Sequence, residues 1–163
     1  MSDQQPVISI HGLTLDPRPP AWQPKGAAAD KFHVERAPLT ERLGLTRLGI
    51  NVTRVAPGKT AYPFHSHRCN DELFFIVSGQ GELRLGEARH AVKPGDVIGC
   101  PIGGPETAHQ IINDSGAELA YISVSTMMPA EVCEYPDSGK IGAFGGSGES
   151  RLRHMTEASG GVD

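Results

Sequence analysis

The 163-residue sequence has few cysteines, no excess of positive charge and no long apolar segment. Its three cysteines, Cys69, Cys100 and Cys133, are too few and too widely spaced for a disulfide framework or a CxxC zinc site. The first residues lack the basic and apolar regions that are typical of a secretory signal. We therefore expect reduced thiols and a cytoplasmic protein.

The charge balance and the short apolar runs narrow the range of partners. A formal net charge of −4 argues against a nucleic-acid-binding surface and against a polybasic membrane surface. The longest apolar run in the middle of the chain, residues 73–77, is far shorter than the ~20 residues needed to span a bilayer. Neither nucleic acid nor a membrane is therefore expected as a partner.

Turn-forming residues, in contrast, are abundant. The 20 glycines and 13 prolines make up about a fifth of the chain, well above the ~12% that is usual for the pair. Hydrophobic residues make up 38%, enough for one buried core. This composition disfavours a helical bundle and indicates an all-β domain of short strands separated by turns.

The chain divides into three segments. Residues 1–44 contain a proline-rich stretch and are predicted to form an extended N-terminal leader that packs on the barrel or on a partner subunit. Residues 45–126 are predicted to form the barrel itself. Residues 127–163 are predicted to be a loosely structured C-terminal tail with a mobile, glycine-rich end.

Between residues 45 and 126, short apolar stretches alternate with turns that contain glycine or proline. Leu48, Ile50 and Val52 follow a period of two, which is typical of a strand. Further strands are predicted at residues 72–78, 82–85, 88–92, 96–100, 109–112 and 118–125. No amphipathic helix intervenes, and the pattern predicts a β-barrel.

Two histidines at positions i and i+2, His65 and His67, suggest a metal site. On a strand this spacing places both imidazoles on one face, about 7 Å apart at Cβ, so that they can converge on one ion. Glu72 follows after four turn residues, and His109 opens a later predicted strand. Taken alone, such a pair is more often two solvent-facing or hydrogen-bonded histidines. Three imidazoles and one carboxylate would suit divalent Mn, Fe, Co, Ni, Cu or Zn.

The spacing around these histidines resembles that of the cupin superfamily, and in particular its small single-domain members. The first cupin motif is matched by Gly58, His65, His67, Glu72 and Gly79, and the second by Gly95, Pro101, Gly103, His109 and Asn113. Two loop spacings differ from the usual pattern. Six residues rather than five separate Gly58 from His65, and five rather than two separate Gly103 from His109. Insertions in loops cost little.

The resemblance covers roughly residues 45–125 and implies a double-stranded β-helix, also called a jelly-roll barrel. It implies one divalent transition metal inside the barrel, with His65, His67, Glu72 and His109 as its ligands. It also implies a homodimer, with the leader or an outer sheet face at the interface.

Strand alternation then predicts which side chains line the cavity and contact a small-molecule ligand. If Glu72 points inward, so do Phe74 and Ile76; if His109 points inward, so do Ile111 and Asn113. These residues could equally be plain barrel core, and Asn113 could instead cap a turn. Arg54 shares the phase of Leu48, Ile50 and Val52. If that face is interior, Arg54 could hold a carboxylate or phosphate; otherwise it is a solvated strand end.

The implied metal centre leaves several functions open. A divalent ion with two free positions can polarise a carbonyl, activate water or, if it is iron, bind dioxygen. Because cupin-type sugar-phosphate isomerases share this ligand pattern, we favour a metal-dependent isomerase acting on a small oxygenated or anionic metabolite. Iron-dependent dioxygenase, decarboxylase and lyase activities are alternatives, as is a cupin that binds a metabolite without turnover.

Overall fold

The computed structural model describes residues 4–19, 29–146 and 152–157. Within these ranges the regular structure consists of short strands and single turns, without an α-helix, as the composition predicts. The strands are β1 (Asp16–Pro17), β2 (Val34–Pro38), β3 (Leu48–Val55), β4 (Ser66–His67), β5 (Glu72–Ser78), β6 (Gly81–Leu85), β7 (Ala88–Val92), β8 (Val97–Cys100), β9 (His109–Ile112), β10 (Leu119–Thr126), β11 (Ala130–Tyr135), β12 (Lys140–Gly145) and β13 (Leu152–Glu157). In the described part of the chain, no helix has the length and apolarity needed to cross a bilayer.

The strands form three antiparallel sheets. A six-stranded sheet has the order β1-β2-β3-β10-β5-β8, and two smaller sheets have the orders β13-β12-β11-β4 and β7-β6-β9. An isolated bridge between His65 and His109 joins the two smaller sheets, which gives the barrel its second wall. The strand bounds predicted at residues 72–78, 88–92 and 109–112 coincide with those of β5, β7 and β9.

The core lies between the two walls. Its fully buried members include Val55 of β3, Leu119 and Tyr121 of β10, and Cys100 of β8. A second apolar cluster covers the opposite, outer face of the six-stranded sheet. There Leu15 and Leu39 of the leader pack on Val52, together with other leader residues. The described leader residues thus shield the outside of β3 from water.

The C-terminal segment differs from the prediction of a loosely structured tail. Residues 130–145 and 152–157 form the strands β11 to β13, and β11 pairs with β4 beside His67. The turn between β11 and β12 is closed by Gly139 with a φ of +65°. The alternating side of β11 that points inward carries Glu131 and Cys133, both buried. Because one of these two inward side chains is charged, the sequence of β11 lacks the alternation of apolar and polar residues by which a strand is predicted. Residues 147–151 and 158–163 lie outside the described residues.

Candidate metal centre

Three histidines meet where β4 lies beside the start of β9. His65 forms the antiparallel bridge with His109, with backbone N···O distances of 3.2 Å and 2.8 Å. His67 lies two residues further along, and Ser66 between the two is fully buried. The ring centroid of His65 lies 4.9 Å from that of His67 and 4.7 Å from that of His109. The i, i+2 spacing thus brings both imidazoles to one place, beside the third.

Glu72 completes the cluster from the other wall of the barrel. It is the first residue of β5, and its Oε2 lies 2.9 Å from Nε2 of His109 and 3.3 Å from Nε2 of His67. Each of the four side chains offers one ligand atom, and these atoms all lie within 4.8 Å of one another. The residues implied by the family resemblance are therefore brought together.

Each imidazole has an acceptor beside its Nδ1 atom. Nδ1 of His65 lies 2.7 Å from the carbonyl oxygen of Pro63, and Nδ1 of His109 lies 3.3 Å from that of Thr107. A carbonyl oxygen can only accept, so with a metal bound at Nε2 each ring would keep its proton on Nδ1 and donate it to the carbonyl. This is the usual way in which outer contacts orient histidine ligands.

His67 is oriented by side chains rather than by carbonyls. Its Nδ1 lies 3.3 Å from the Glu131 carboxylate and 3.3 Å from the sulfur of Cys133. Its Nε2 is buried and has no hydrogen-bond partner among the described residues. This atom faces the Glu72 carboxylate at 3.3 Å. Such an arrangement needs a positive charge between the ring and the carboxylate, either a proton or a metal ion.

The pKa values also indicate a positive charge between His67 and Glu72. Burial, reinforced by the neighbouring His109, lowers the pKa of His65 to about 3, so this ring is neutral at pH 7. Burial alone would lower the pKa of His67, but the neighbouring Cys133 and Glu72 side chains favour the protonated ring and raise its pKa to about 11. Burial would raise the pKa of Glu72, but its hydrogen bonds to His109 and His67 hold it well below the usual range. The metal-free cluster therefore keeps a proton that a divalent ion can replace.

Glu131 supports this cluster and was missed by the sequence reasoning. Its Oε1 accepts the backbone N–H groups of Arg68, Cys69 and Val132 at 2.8–3.1 Å, and its Oε2 accepts the amide of Asn70. A buried carboxylate thus ties the loop after His67 to β11. The only signal in the sequence was the i, i+2 spacing of Glu131 and Cys133, the same spacing that exposed the histidine pair.

Two cavities meet at the cluster. The inner cavity has a volume of about 210 Å³ and lies between the walls of the barrel. The outer cleft has a volume of about 900 Å³ and reaches from the cluster to residues 38–46, to residues 125–129 and to the β11–β12 hairpin. Both are lined by His65, His67, Glu72 and Asn51. Tyr135 of the hairpin lines the outer cleft and stacks on His65, with ring centroids 6.0 Å apart.

The predicted ligand-contacting residues have different positions. Phe74 and Ile111 line the inner cavity. Ile76 lies in the buried core and is not among the cavity-lining residues. Asn113 is fully buried away from the cavity, where its amide donates to the carbonyls of Val55 and Ala117 at 2.9 Å and 2.7 Å. The structure thus places Asn113 at the turn before β10, the alternative to a ligand contact that the sequence left open.

Arg54 is also displaced from its predicted place. The face of β3 that carries Ile50, Val52 and Arg54 is the outer one, covered by the leader. The Nε of Arg54 lies 3.4 Å from the carboxylate of Glu118, and neither cavity is lined by Arg54. A cavity role for Arg54 depended on this face of β3 being interior, whereas the face is apolar because the leader packs on it.

Comparison with known proteins assigns the fold. The Cupin_2 family model, described as a cupin domain, matches residues 51–125. Residues 51–125 are a cupin domain. A structure from Silicibacter pomeroyi described as a cupin-superfamily sugar phosphate isomerase is similar over 78% of each chain, with 28% identity and a TM-score of 0.71. The predicted double-stranded β-helix is thereby confirmed.

Two further similarities are more limited. A protein of known structure from Acidithiobacillus ferrooxidans, described as a putative sugar phosphate isomerase, covers 80% of each chain with 24% identity and a TM-score of 0.69, which supports the fold alone. An uncharacterized protein of Methanocaldococcus jannaschii is 33% identical over 61 residues, which are 37% of this chain and 46% of that relative. The chain thus matches less than half the length of this relative.

The long spacing between Gly103 and His109 leaves His109 beside the other three residues of the cluster. The additional residues between Gly103 and His109 form a single 3₁₀ turn, Pro105–Thr107. Glu106 accepts the backbone N–H of Gly104 at 2.8 Å, which closes this loop. His109 still begins β9 opposite His65. The insertion thus ends before β9 begins, and His109 keeps its register opposite His65.

Proposed function

We propose that this cupin binds one divalent transition metal and isomerises a small phosphorylated hydroxy-carbonyl compound, such as a sugar phosphate. The observation that carries the proposal is the convergence of three histidines and one carboxylate on a cavity of about 210 Å³. When bound, a divalent ion would supply Lewis-acid stabilisation of developing negative charge on substrate oxygens. His65, His67, Glu72 and His109 would hold it.

The cavity surroundings suit a small polar substrate. Phe74 and Ile111 form an apolar floor, while Asn51, Tyr62 and Ser123 offer hydrogen-bonding groups on the walls. Tyr62 is half-buried at the wall and lies under the guanidinium of Arg18, 4.3 Å from the ring centroid. The similarity to the Silicibacter pomeroyi structure supports isomerisation of sugar phosphates in particular.

The proposed reaction is tested by following hydrogen exchange at the substrate. The chain loaded separately with Mn²⁺, Zn²⁺ or Fe²⁺ is incubated in D₂O with a panel of aldose and ketose phosphates, and products are observed by NMR. Isomerisation through proton transfer between adjacent carbons predicts deuterium at the transferred position and interconversion of aldose and ketose. Loss of both signals in Glu72→Ala is the matched control. If no sugar phosphate shows exchange or interconversion with any metal, the isomerase proposal is wrong.

A second candidate, binding without turnover, is favoured by one observation. Among the described residues that line the inner cavity, Glu72 is the only carboxylate, and it belongs to the proposed ligand set. No separate carboxylate base is thus placed beside the substrate. Tight binding of a sugar phosphate without exchange in the same NMR experiment would favour this candidate over the enzyme.

We also propose a homodimer in the cytoplasm. Phe75 of β5 and Val97 of the edge strand β8 are direct register partners, and they are 41% and 58% exposed. An exposed apolar pair on an edge strand suits a second copy of the chain. Sedimentation equilibrium should give a dimer for the wild type and a monomer for Val97→Lys; a wild-type monomer would contradict the proposal.

The three free cysteines agree with a reducing compartment, which cell fractionation tests.

A further inference from the structure

Among the described residues, Arg36 is the arginine that lines the inner cavity, whereas Arg54, the candidate considered from the sequence, lies on the outer face. Arg36 of β2 pairs in register with Thr53 of β3, which in turn pairs with Tyr121 of β10. Thr53 and Tyr121 are both almost fully buried, and Tyr121 lines the inner cavity. Arg36 therefore lies on the interior side of the sheet, and it lines the same cavity as the histidine cluster.

The guanidinium of Arg36 has no partner among the residues that the structure describes: no hydrogen bond or ion pair holds it. Other arginines at the barrel surface are paired, such as Arg54 with Glu118, Arg84 with Asp137 and Arg89 with Glu82. A half-buried cation without an acceptor gives up hydration without compensation. Its planar group of five donors suits the oxygens of a phosphate or carboxylate.

A strip of polar side chains connects Arg36 with the metal cluster. Asn51 of β3 and Ser123 of β10 are register partners on the interior face, one row nearer to Glu72 than Arg36 is. Both line the inner cavity. At about 4.8 Å per strand, three strand spacings separate Arg36 from Glu72 by about 14 Å across the sheet, and an offset of four residues adds about 13 Å along the strands. A single ligand can reach both ends only if several bonds separate its anionic group from its chelating oxygens.

The charges in the inner cavity favour a dianion. Arg36 adds one positive charge, Glu72 one negative charge and a divalent ion two positive charges, so the lining carries two net positive charges when metal is bound. A phosphate monoester carries nearly two negative charges at neutral pH. A carboxylate carries one, and it is the poorer match for this charge.

We propose that Arg36 binds the terminal anionic group, a phosphate monoester in preference to a carboxylate, of a polyhydroxylated ligand whose other end lies at the metal cluster. Arg36 would then recognise the phosphate of the sugar phosphate proposed above as substrate. That the other end of this ligand binds the metal rests on the proposed function. Asn51 and Ser123 are placed to contact the hydroxyl groups between the two ends. Arg36 is thus a specificity-determining residue rather than a member of the metal cluster.

The test uses three six-carbon polyols that end in a phosphate, a carboxylate or a hydroxyl group. Sorbitol 6-phosphate, gluconate and sorbitol are titrated by calorimetry into the full chain, both loaded with Mn²⁺ and stripped of metal by a chelator. None of these compounds has an aldehyde or ketone group, so none can undergo aldose–ketose isomerisation. The binding result is therefore independent of whether the chain turns over sugar phosphates, and failure of the isomerase proposal is a separate outcome.

We expect the wild type to bind sorbitol 6-phosphate at least 10-fold more tightly than sorbitol, with gluconate in between. Arg36→Gln should weaken sorbitol 6-phosphate binding by about 10-fold to 100-fold, in both the loaded and the stripped chain, and should leave sorbitol unchanged. Arg36→Lys, which keeps the charge but loses the planar donors, should recover part of the loss. Equal binding of gluconate and the phosphate would overturn the stated preference for a phosphate monoester.

The matched control is Arg54→Gln, which removes an arginine from the outer face of the adjacent strand. It should change the affinity for sorbitol 6-phosphate by less than twofold. Because Arg36 has no partner in the described chain, Arg36→Gln should also melt within a few degrees of the wild type. The proposal is overturned if folded Arg36→Gln binds the phosphate as tightly as the wild type, or if the wild type does not distinguish the phosphate from sorbitol.

Discussion

Replacing the buried Glu131 by glutamine tests how the metal cluster is supported. The Glu131 side chain is only 3% exposed. One of its oxygens accepts three backbone N–H groups, and the other contacts Nδ1 of His67 and the amide of Asn70. Glutamine keeps the shape of the side chain. It replaces one accepting oxygen with an NH₂ group, which must face donors whichever way it is oriented.

The expected loss follows from the hydrogen bonds affected. Hydrogen bonds to a charged group contribute about 1.5–3 kcal/mol, against about 1 kcal/mol for neutral ones, and a buried donor left without an acceptor costs a further ~1–3 kcal/mol. We therefore expect Glu131→Gln to lower the free energy of unfolding of the metal-free chain by about 3 kcal/mol. Because the carboxylate also orients His67, metal affinity should fall by about 10-fold to 100-fold.

Urea unfolding of the metal-free chain and chelator competition for Mn²⁺ measure the two effects. Glu134→Gln is the matched control, since Glu134 lies on the same strand and pairs with Arg68 at the surface. It should lower the free energy of unfolding by less than about 1 kcal/mol and leave metal affinity unchanged. A Glu131→Gln variant that behaves like this control would show that the buried carboxylate does not support the site.

Three other predictions concern the turns and the metal equilibrium. Asn113→Ala should lower the free energy of unfolding, measured with urea, by about 2–4 kcal/mol and leave the metal content unchanged. Loss of metal would show that Asn113 contributes to the metal site. Gly79→Ala should prevent stable folding, because a Cβ there would lie 2.2 Å from the carbonyl oxygen of Glu118 at a φ of +77°. Gly95→Ala, with open space and a φ of +94°, should cost only about 1–2 kcal/mol by thermal melting, and equal losses in the two variants would contradict the steric explanation. Finally, metal uptake at pH 7.5 should release about one proton, because the pKa of His67 is raised to about 11 and its Nε2 must be deprotonated to bind. Affinity should therefore rise with pH, and calorimetry in buffers of different ionisation enthalpy would refute this if no proton is released.

The strands and the metal cluster could be predicted because both depend on local patterns. Period-two alternation and glycine-containing turns marked the bounds of β5, β7 and β9. The i, i+2 spacing of His65 and His67 fixes their common face on any strand. Glu72 and His109 required the family resemblance, since only long-range pairing brings β5 and β9 to the pair.

The features that the sequence did not predict depend on which face of a strand is covered and on which residues cover it. A cavity position for Arg54 required its apolar strand face to be interior, but that face is covered by the leader, and the arginine that lines the inner cavity is Arg36. The strand β11 was missed because its inward positions are Glu131 and Cys133, whose burial depends on partners 60 or so residues away in the chain. A single sequence does not contain these pairings.

The central claim is that His65, His67, Glu72 and His109 form one metal site. The most direct measurement is metal content by mass spectrometry after dialysis against Mn²⁺, Fe²⁺ and Zn²⁺, on untagged wild-type chain and on His109→Ala. We expect close to one ion per chain in the wild type and little in the variant, with both proteins folded by circular dichroism. A folded wild type without metal, or a variant that keeps a full complement of it, would contradict the account.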